Sequence, residues 1–223
     1  MSHLPFRLVV FDWDGTLVDS AAKIVGCFEA AIAALGWAPR PQTALRGVIG
    51  LGLPQTVPVL FPGVEEDAIE AFVAAYRQAW LAPDAPRSAM FTGARDLLHE
   101  LRDAGYRLAV ATGKSRAGLA RELVETGTGA LFEATRCADE TRSKPHPAML
   151  EALLDATGTP PEAALVVGDT TYDLDMARAA GVAAVGVSWG VHAPEQLHAC
   201  GPLSVFDTIG ALQEWFTASR AAE

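Results

Sequence analysis

Residues 7–20 read RLVVFDWDGTLVDS, an apolar run that ends in two aspartates, Asp12 and Asp14, separated by one residue. The apolar residues suit a buried strand, yet two negatively charged side chains follow directly at its end. Side chains two residues apart in an extended segment point the same way, so both carboxylates can face one pocket. Burying an unpaired ion costs several kcal/mol, on the order of the effective penalty known for proteins. The stretch therefore predicts that a positive group lies near these aspartates.

The composition limits the partners of the chain. Its 223 residues are 50% hydrophobic and 20% charged, with a formal net charge of −10 and a pI near 4.9. Surfaces that bind nucleic acid or anionic lipid need clustered Lys and Arg, so neither partner is expected. No segment approaches the roughly 20 apolar residues of a membrane span. The three cysteines lack the spacing of a disulfide framework or a zinc cluster. A cytoplasmic protein is expected, and nothing in the sequence indicates its oligomeric state.

The order of apolar segments predicts the fold class. Runs with little polar alternation, typical of strands covered on both faces, occupy residues 7–12, 106–112, 163–169 and 183–188, with a shorter run at 203–206. Helical patterns lie between them at 94–104, 115–126 and 146–157. This alternation predicts an α/β fold with a doubly wound, mostly parallel, Rossmann-like sheet.

Residues 20–88 have a different character. Apolar residues recur at helical spacing in 24–35 and 69–80, and the Pro- and Gly-rich stretch 36–63 favours turns between short helices. The pattern predicts an α-helical module inserted after the first strand. The predicted core is residues 1–18 and 89–223, and the predicted insertion is residues 19–88.

Polar residues follow the predicted strands at the sheet edge where ligands bind in open α/β folds. They are Asp12 and Asp14, the run Thr112-Gly113-Lys114, the pair Asp169 and Asp173, and Lys144 ahead of a helix. The excess of carboxylates favours a hard divalent cation, most simply Mg²⁺. Such a set suits phosphoryl transfer through an aspartyl phosphate. Lys114 could face this site or solvent, and solvent is the default for a lysine.

Four motifs carry a family resemblance. FDWDGTLVDS (11–20), VATGKS (110–115), SKPHP (143–147) and VVGDTTYDLDMARAAG (166–181) resemble, in this order, the motifs of the haloacid dehalogenase superfamily. The insertion is similar to the helical cap of that superfamily, though the core motifs are more specific. Within it, the chain is similar to the phosphoglycolate phosphatase and β-phosphoglucomutase-like group.

The resemblance implies catalytic roles. Asp12 would be the nucleophile, and Asp14 the general acid and base. Thr112 and the backbone at Gly113 would bind the phosphoryl oxygens of the substrate. Lys144 would offset negative charge between nucleophile and phosphate.

It also implies a metal site. Asp12, the backbone carbonyl of Asp14, and Asp169 would hold Mg²⁺, with Asp173 as a direct or water-bridged neighbour. In the insertion, Arg46 is a candidate for binding a distal anion of the substrate, since arginine pairs well with carboxylates.

The predicted function is a Mg²⁺-dependent phosphatase that hydrolyses a small phosphorylated metabolite, with phosphoglycolate as the family-level guess. Thr16 after DxDG favours a phosphatase over a phosphomutase, the first alternative. A phosphonate hydrolase would need a Schiff-base lysine, for which Lys23 is the candidate, although it lies very near the first motif. An alternative of another class is a non-enzymatic phosphoacceptor domain, but such domains are about half as long and lack the insertion.

Overall fold

The strands form a central parallel sheet and a small separate ribbon. The computed structural model describes residues 6–83 and 88–220. In chain order the strands are β1 (Leu8–Phe11), β2 (Val18–Asp19), β3 (Ala89–Met90), β4 (Arg107–Thr112), β5 (Ala134–Cys137), β6 (Ala164–Gly168), β7 (Ala183–Val187) and β8 (Val205–Phe206). The six-stranded sheet has the order β5-β4-β1-β6-β7-β8, and every neighbouring pair is parallel. The predicted fold class is confirmed.

Helices connect and cover the strands. They are α1 (Ala21–Ala34), α2 (Gln42–Gly47), α3 (Leu53–Leu60), α4 (Glu66–Leu81), α5 (Ala94–Asp103), α6 (Arg116–Thr126), α7 (Ala148–Thr157), α8 (Thr171–Ala179), α9 (Pro194–Ala199) and α10 (Ile209–Arg220). Among the described residues, every helix is too short or too polar to span a bilayer.

The central strand shows why the strand sequences lack polar alternation. Val9 and Phe11 of β1 belong to an apolar cluster with α5 and α10, whereas Leu8 and Val10 belong to a second cluster with α7 and α8. Successive side chains of a strand point to opposite faces, and here both faces are covered by helices. A strand buried on both sides therefore requires apolar residues at every position.

The first four helices lie within the predicted insertion and share a third apolar cluster. Its centre is aromatic, with the rings of Phe28 on α1 and Phe72 on α4 at a centroid distance of 6.1 Å. The β2–β3 ribbon pairs Val18 with Met90, so the chain leaves and re-enters the core at one place. The predicted boundaries at 18/19 and 88/89 fall on this ribbon.

Strand β5 escaped prediction. It is an edge strand beside β4, and three of its four residues are only half-buried. An edge strand with one partner needs less apolar sequence than a central one. Its central residues, Thr135 and Arg136, therefore hide it from a search for apolar runs.

Candidate active site

Three neighbouring strands bring the predicted site residues to one edge of the sheet. Asp12 follows β1, Thr112 ends β4, and Asp169 follows β6. Because β1 lies between β4 and β6 and all three run parallel, their carboxyl ends meet. Asp12 is 2% exposed, and Thr112 and Asp169 are fully buried.

Lys144 is the positive group opposite Asp12. Its Nζ lies 2.6 Å from Asp12 Oδ1 and 2.6 Å from Asp173 Oδ1, and the lysine is 2% exposed. Burial alone disfavours a charged lysine, but the two carboxylates outweigh it, so the pKa of Lys144 is raised. The ammonium therefore stays charged in this pocket.

Three buried carboxylates form a candidate metal site. Asp12, Asp169 and Asp173 each offer an oxygen, and these atoms lie within 4.8 Å of one another. Burial raises the pKa of Asp12 well above its ordinary value, against the effect of Lys144. Burial, with Asp173 adding to it, raises the pKa of Asp169 to about 7. One ammonium does not balance three carboxylates, so the cluster favours a further cation.

The unpartnered oxygen of Asp12 provides a test of that fit. Asp12 Oδ2 is buried and has no hydrogen-bond partner among the residues that the structure describes. Leaving such a group unsatisfied costs about 1–3 kcal/mol, and more when it is charged. Carboxylate oxygens are the donors that Mg²⁺ prefers. The donor set and the orphaned oxygen both fit a Mg²⁺ ion.

Two hydrogen bonds and the close approach of two glycines fix the position of the Asp169 carboxylate. Thr16 Oγ1 donates a hydrogen bond of 2.8 Å to its Oδ1, and the Val191 amide donates one of 2.9 Å to its Oδ2. A Cβ at Gly15, where φ is +87°, would lie 2.3 Å from Asp169 Oδ2, and one at Gly190 would lie 2.1 Å away. Both positions therefore require glycine for this approach.

Asp173 is oriented by the start of α8. Its Oδ2 accepts hydrogen bonds from the backbone amide of Thr170 at 3.1 Å and from the hydroxyl of that residue at 2.6 Å. This capping arrangement leaves Oδ1 directed at Lys144. The residue serves helix and site together.

Asp14 contacts a different lysine from Asp12. Its Oδ1 accepts hydrogen bonds from Ser20 Oγ at 2.5 Å and from Lys114 Nζ at 2.8 Å. Since β1 ends at Phe11, the two aspartates are not part of one extended segment. Their carboxylates have separate partners, Lys144 for Asp12 and Lys114 for Asp14.

Lys114 faces the site. The default expectation that its side chain is exposed to solvent is therefore wrong. Its Nζ also lies 3.0 Å from Glu122 Oε1, and its side chain is 9% exposed. Burial opposes the charge, but Asp14 and Glu122 outweigh it and raise the pKa of Lys114. Glu122 Oε2 in turn accepts a hydrogen bond of 2.5 Å from the indole of Trp13.

The insertion covers the sheet edge through direct contacts. Tyr172 Oη donates a hydrogen bond of 2.8 Å to the Gly47 carbonyl, and the Gly52 amide donates one of 2.7 Å to Ser143 Oγ. A Cβ at Gly113 would lie 2.6 Å from the carbonyl oxygen of Leu51. Beside these contacts, a cavity of about 320 Å³ separates α1, α3 and α4 from the loop after β4 and α6.

Comparison with known proteins identifies the family. Residues 9–187 match the haloacid dehalogenase-like hydrolase family. The chain belongs to this family. The chain is similar to a protein named as a probable phosphatase, IndB, from Dickeya dadantii, with 38% identity over 207 residues, 91% of this chain and 90% of that one.

A second relative supports the family, and a solved structure shares the fold. A phosphoglycolate phosphatase of Rhodospirillum rubrum is 34% identical over 220 residues, covering 94% of this chain and 90% of that one. The fold is similar to that of a haloacid dehalogenase-like family hydrolase from Streptococcus pneumoniae, with a TM-score of 0.82, 24% identity, and coverage of 95% of this chain and 99% of that one. The superfamily predicted from the sequence is confirmed. The chain is a hydrolase, and the names of its phosphatase relatives are consistent with hydrolysis of phosphoric monoesters.

Two residues considered from the sequence, Arg46 and Lys23, are not part of the cavity lining. Arg46 is exposed on α2 and is not part of the cavity lining, so the structure does not bring it to the other site residues. Lys23, the Schiff-base candidate, packs its Nζ 4.1 Å from the centroid of Trp80. It also does not line the cavity.

Sequence reasoning missed Glu122, which is 5% exposed. A signal was present, because Glu122 lies three residues after Leu119 on the buried side of α6. A charged residue on the apolar side of a helix requires a partner. Finding that partner required the structure, since Lys114 comes from the preceding loop.

Proposed function

We propose that this hydrolase is a Mg²⁺-dependent phosphatase that acts on a small phosphorylated metabolite through an aspartyl-phosphate intermediate. The observation that carries the proposal is the environment of Asp12. One of its carboxylate oxygens is bound by Lys144 and the other is buried and unpartnered, beside two further carboxylates.

In the first half-reaction, a carboxylate oxygen of Asp12 attacks phosphorus. A bond forms between this oxygen and phosphorus while the bond from phosphorus to the ester oxygen breaks. Asp14 gives its proton to the departing oxygen, which leaves as an alcohol. Lys144 offsets negative charge between the nucleophile and the phosphoryl group.

In the second half-reaction, water attacks the phosphorus of the aspartyl phosphate. Asp14, now deprotonated, accepts a proton from this water. The bond between phosphorus and Asp12 breaks, which releases inorganic phosphate and restores both carboxyl groups. Dividing hydrolysis in this way replaces one difficult step with two easier ones.

The metal would be held by Asp12, Asp169, the backbone carbonyl of Asp14 and, directly or through water, Asp173. When bound, Mg²⁺ supplies positive charge that neutralises the phosphoryl oxygens. Thr112 and the Gly113 backbone are proposed to bind those oxygens as well.

The two alternative functions, a phosphoacceptor domain and a phosphomutase, are supported to different degrees. The family match over residues 9–187 sets aside the phosphoacceptor domain. A phosphomutase would use the same aspartyl phosphate, and Thr16 is the residue that favours hydrolysis.

Phosphoglycolate is the first ester to test, because a relative is named a phosphoglycolate phosphatase. The cytoplasmic location and the exclusion of nucleic acid and membrane stay predictions from composition.

The test is phosphate release from a panel of small phosphate esters with Mg²⁺ or with EDTA. We expect multiple turnover with Mg²⁺ only, and a loss of at least about 10³-fold in Asp12→Asn, because removing a covalent nucleophile is this costly. Asp19→Asn, which changes an exposed aspartate on β2, is the control. Turnover that survives in Asp12→Asn would refute the mechanism, and labelling of Asp12 without repeated turnover would favour the mutase.

Metal binding has a separate readout. We expect Mg²⁺ to raise the melting temperature of the wild type and of Asp19→Asn but not of Asp169→Asn, since a ligand that binds only the folded state stabilises it. An equal rise in all three proteins would exclude Asp169 as a ligand.

A further inference from the structure

The cavity beneath the insertion lies where the alcohol of a bound ester would be. It borders Asp14, the residue proposed to protonate the leaving oxygen, and Gly113, proposed to bind the phosphoryl group. Its volume of about 320 Å³ falls at the lower end of the roughly 300–1,000 Å³ found for sites of drug-sized ligands. A two-carbon alcohol would leave much of this space unfilled.

The wall on the insertion side is apolar and aromatic. Phe28 of α1 and three residues of α4, Val73, Tyr76 and Trp80, line it. The rings of Phe28 and Tyr76 have centroids 5.2 Å apart, and those of Tyr76 and Trp80 are stacked at 6.0 Å with an interplanar angle of 22°. The Trp80 ring is already contacted by two ammonium groups, Lys23 Nζ at 4.1 Å and Lys114 Nζ at 4.5 Å from its centroid. Phe28 and Tyr76 are therefore the rings of this wall that favour an apolar ligand.

Two polar residues of the wall form hydrogen bonds with neighbouring groups of the chain. Thr56 Oγ1 donates a hydrogen bond of 2.7 Å to the Leu53 carbonyl. Asp139 Oδ1 accepts one of 2.8 Å from the Arg116 amide. These groups are less available to a polar ligand.

The cations of the wall do not form a buried carboxylate-binding site. Lys114 is held between two carboxylates, and the partly exposed Arg121 pairs with Glu125 at 3.7 Å. Arg77 is exposed on α4. Among the described residues that line the cavity, no buried cation lacks an acidic partner. A carboxylate placed deep in the cavity would therefore be desolvated without a free counter-charge.

We infer that the alcohol esterified in the substrate is a bulky apolar group, best an aromatic one that packs against the rings of Phe28 and Tyr76, and not a two-carbon carboxylate. The inference rests on the proposed phosphatase function and narrows its substrate class.

The test compares 2-phenylethyl phosphate with ethyl phosphate and phosphoglycolate, with Mg²⁺. The first two are esters of primary alcohols, so their leaving oxygens differ little in basicity and the comparison reports binding. A single methylene in a hydrophobic pocket is worth about 10–200-fold. We expect kcat/KM for 2-phenylethyl phosphate to exceed that for ethyl phosphate at least tenfold. Equal values, or a preference for phosphoglycolate, would overturn the inference.

A cavity-filling variant and a matched control locate the effect. Val73→Trp places an indole in the cavity, whereas Val59→Trp makes the same change at a residue of α3 that is 57% exposed. We expect the ratio of the two kcat/KM values to fall about tenfold or more in Val73→Trp and to stay at the wild-type value in Val59→Trp. A ratio unchanged in Val73→Trp would overturn the placement.

Non-hydrolysable ligands separate the inference from the proposed function. The affinities of 2-phenylethylphosphonate and ethylphosphonate, measured by calorimetry with Mg²⁺, depend on binding alone. We expect the first to bind at least tenfold more tightly. If no ester is hydrolysed, the phosphatase proposal fails while this comparison still decides the inference, and equal affinities would overturn it.

Discussion

The ammonium nitrogen of Lys114 lies 2.8 Å from Asp14 Oδ1, although the two residues are 100 positions apart in the chain. The same nitrogen lies 3.0 Å from Glu122 Oε1. One cation thus contacts both the proposed acid and base of the reaction and a buried helix residue. This contact joins the segment after β1 to the loop after β4, and the stability of the site should depend on it.

Removing this lysine should destabilise the protein. In Lys114→Met, two carboxylates lose their shared cation, and breaking a buried ion pair in this way costs about 3–5 kcal/mol. Arg121→Met, the matched control on α6, breaks a partly exposed pair and should cost about 0–1 kcal/mol. Urea unfolding of the metal-free proteins measures both changes in the free energy of unfolding. Adding Glu122→Gln to Lys114→Met should restore part of the loss, and equal small losses in both single variants would contradict the prediction.

Glu122 should make stability depend on pH. Burial raises its pKa above the ordinary value of 4.5, although Lys114 opposes this. The folded state thus binds this proton more tightly than the unfolded state. Its contribution is fully present below pH 4.5 and is lost as pH rises through the raised folded value.

The measurement is the free energy of unfolding of wild type and Glu122→Gln across this pH range. The wild type should lose stability relative to Glu122→Gln as pH rises, by at most about 1.4 kcal/mol per pH unit. Glu125→Gln, which changes a residue 62% exposed in its side chain on the same helix, should stay parallel to the wild type. Parallel curves for Glu122→Gln would show that Glu122 does not titrate in this way.

Gly113 should be intolerant of a side chain. Its Cβ would lie 2.6 Å from the Leu51 carbonyl oxygen and 2.7 Å from that of Gly50, which are backbone atoms of the insertion. Gly113→Ala should therefore push this segment away from the end of β4, and small displacements of positioning groups can cost about 100-fold in rate. We expect kcat/KM to fall at least about tenfold.

Gly26→Ala is the control for that prediction. A Cβ at Gly26, in α1, has no neighbour within 4 Å, so kcat/KM should not change. The free energy of unfolding should rise by up to about 1 kcal/mol, because alanine favours a helix over glycine. Wild-type kinetics in Gly113→Ala would mean that the insertion adjusts without cost.

The sequence predicted correctly those strands that are buried on both faces of the sheet. β1, β4, β6 and β7 are covered on both faces, so each reads as an apolar run whatever surrounds it. Helices α5, α6 and α7 show their apolar spacing in the same way. The edge strand β5 and the two-residue strands β2 and β3 lack such runs, because only pairing with a neighbour defines them.

Some residues of the candidate site could be predicted from the sequence and others could not. Asp12, Asp169 and Thr112 could be proposed from sequence because parallel strands deliver their ends to one edge. The orientation of Lys114, the burial of Glu122 and the exposure of Arg46 could not, since each depends on how a helix or loop packs against another element.

The sequence by itself determined the α/β class, and it predicted a helical insertion and a set of site residues at the strand ends, because apolar periodicity and motif spacing are local properties of the chain. Only the tertiary structure decided which carboxylate meets which lysine, where the insertion contacts the core and how apolar the cavity between them is. Those features arise from contacts between residues distant in sequence, and no local pattern encodes the distance or direction between them.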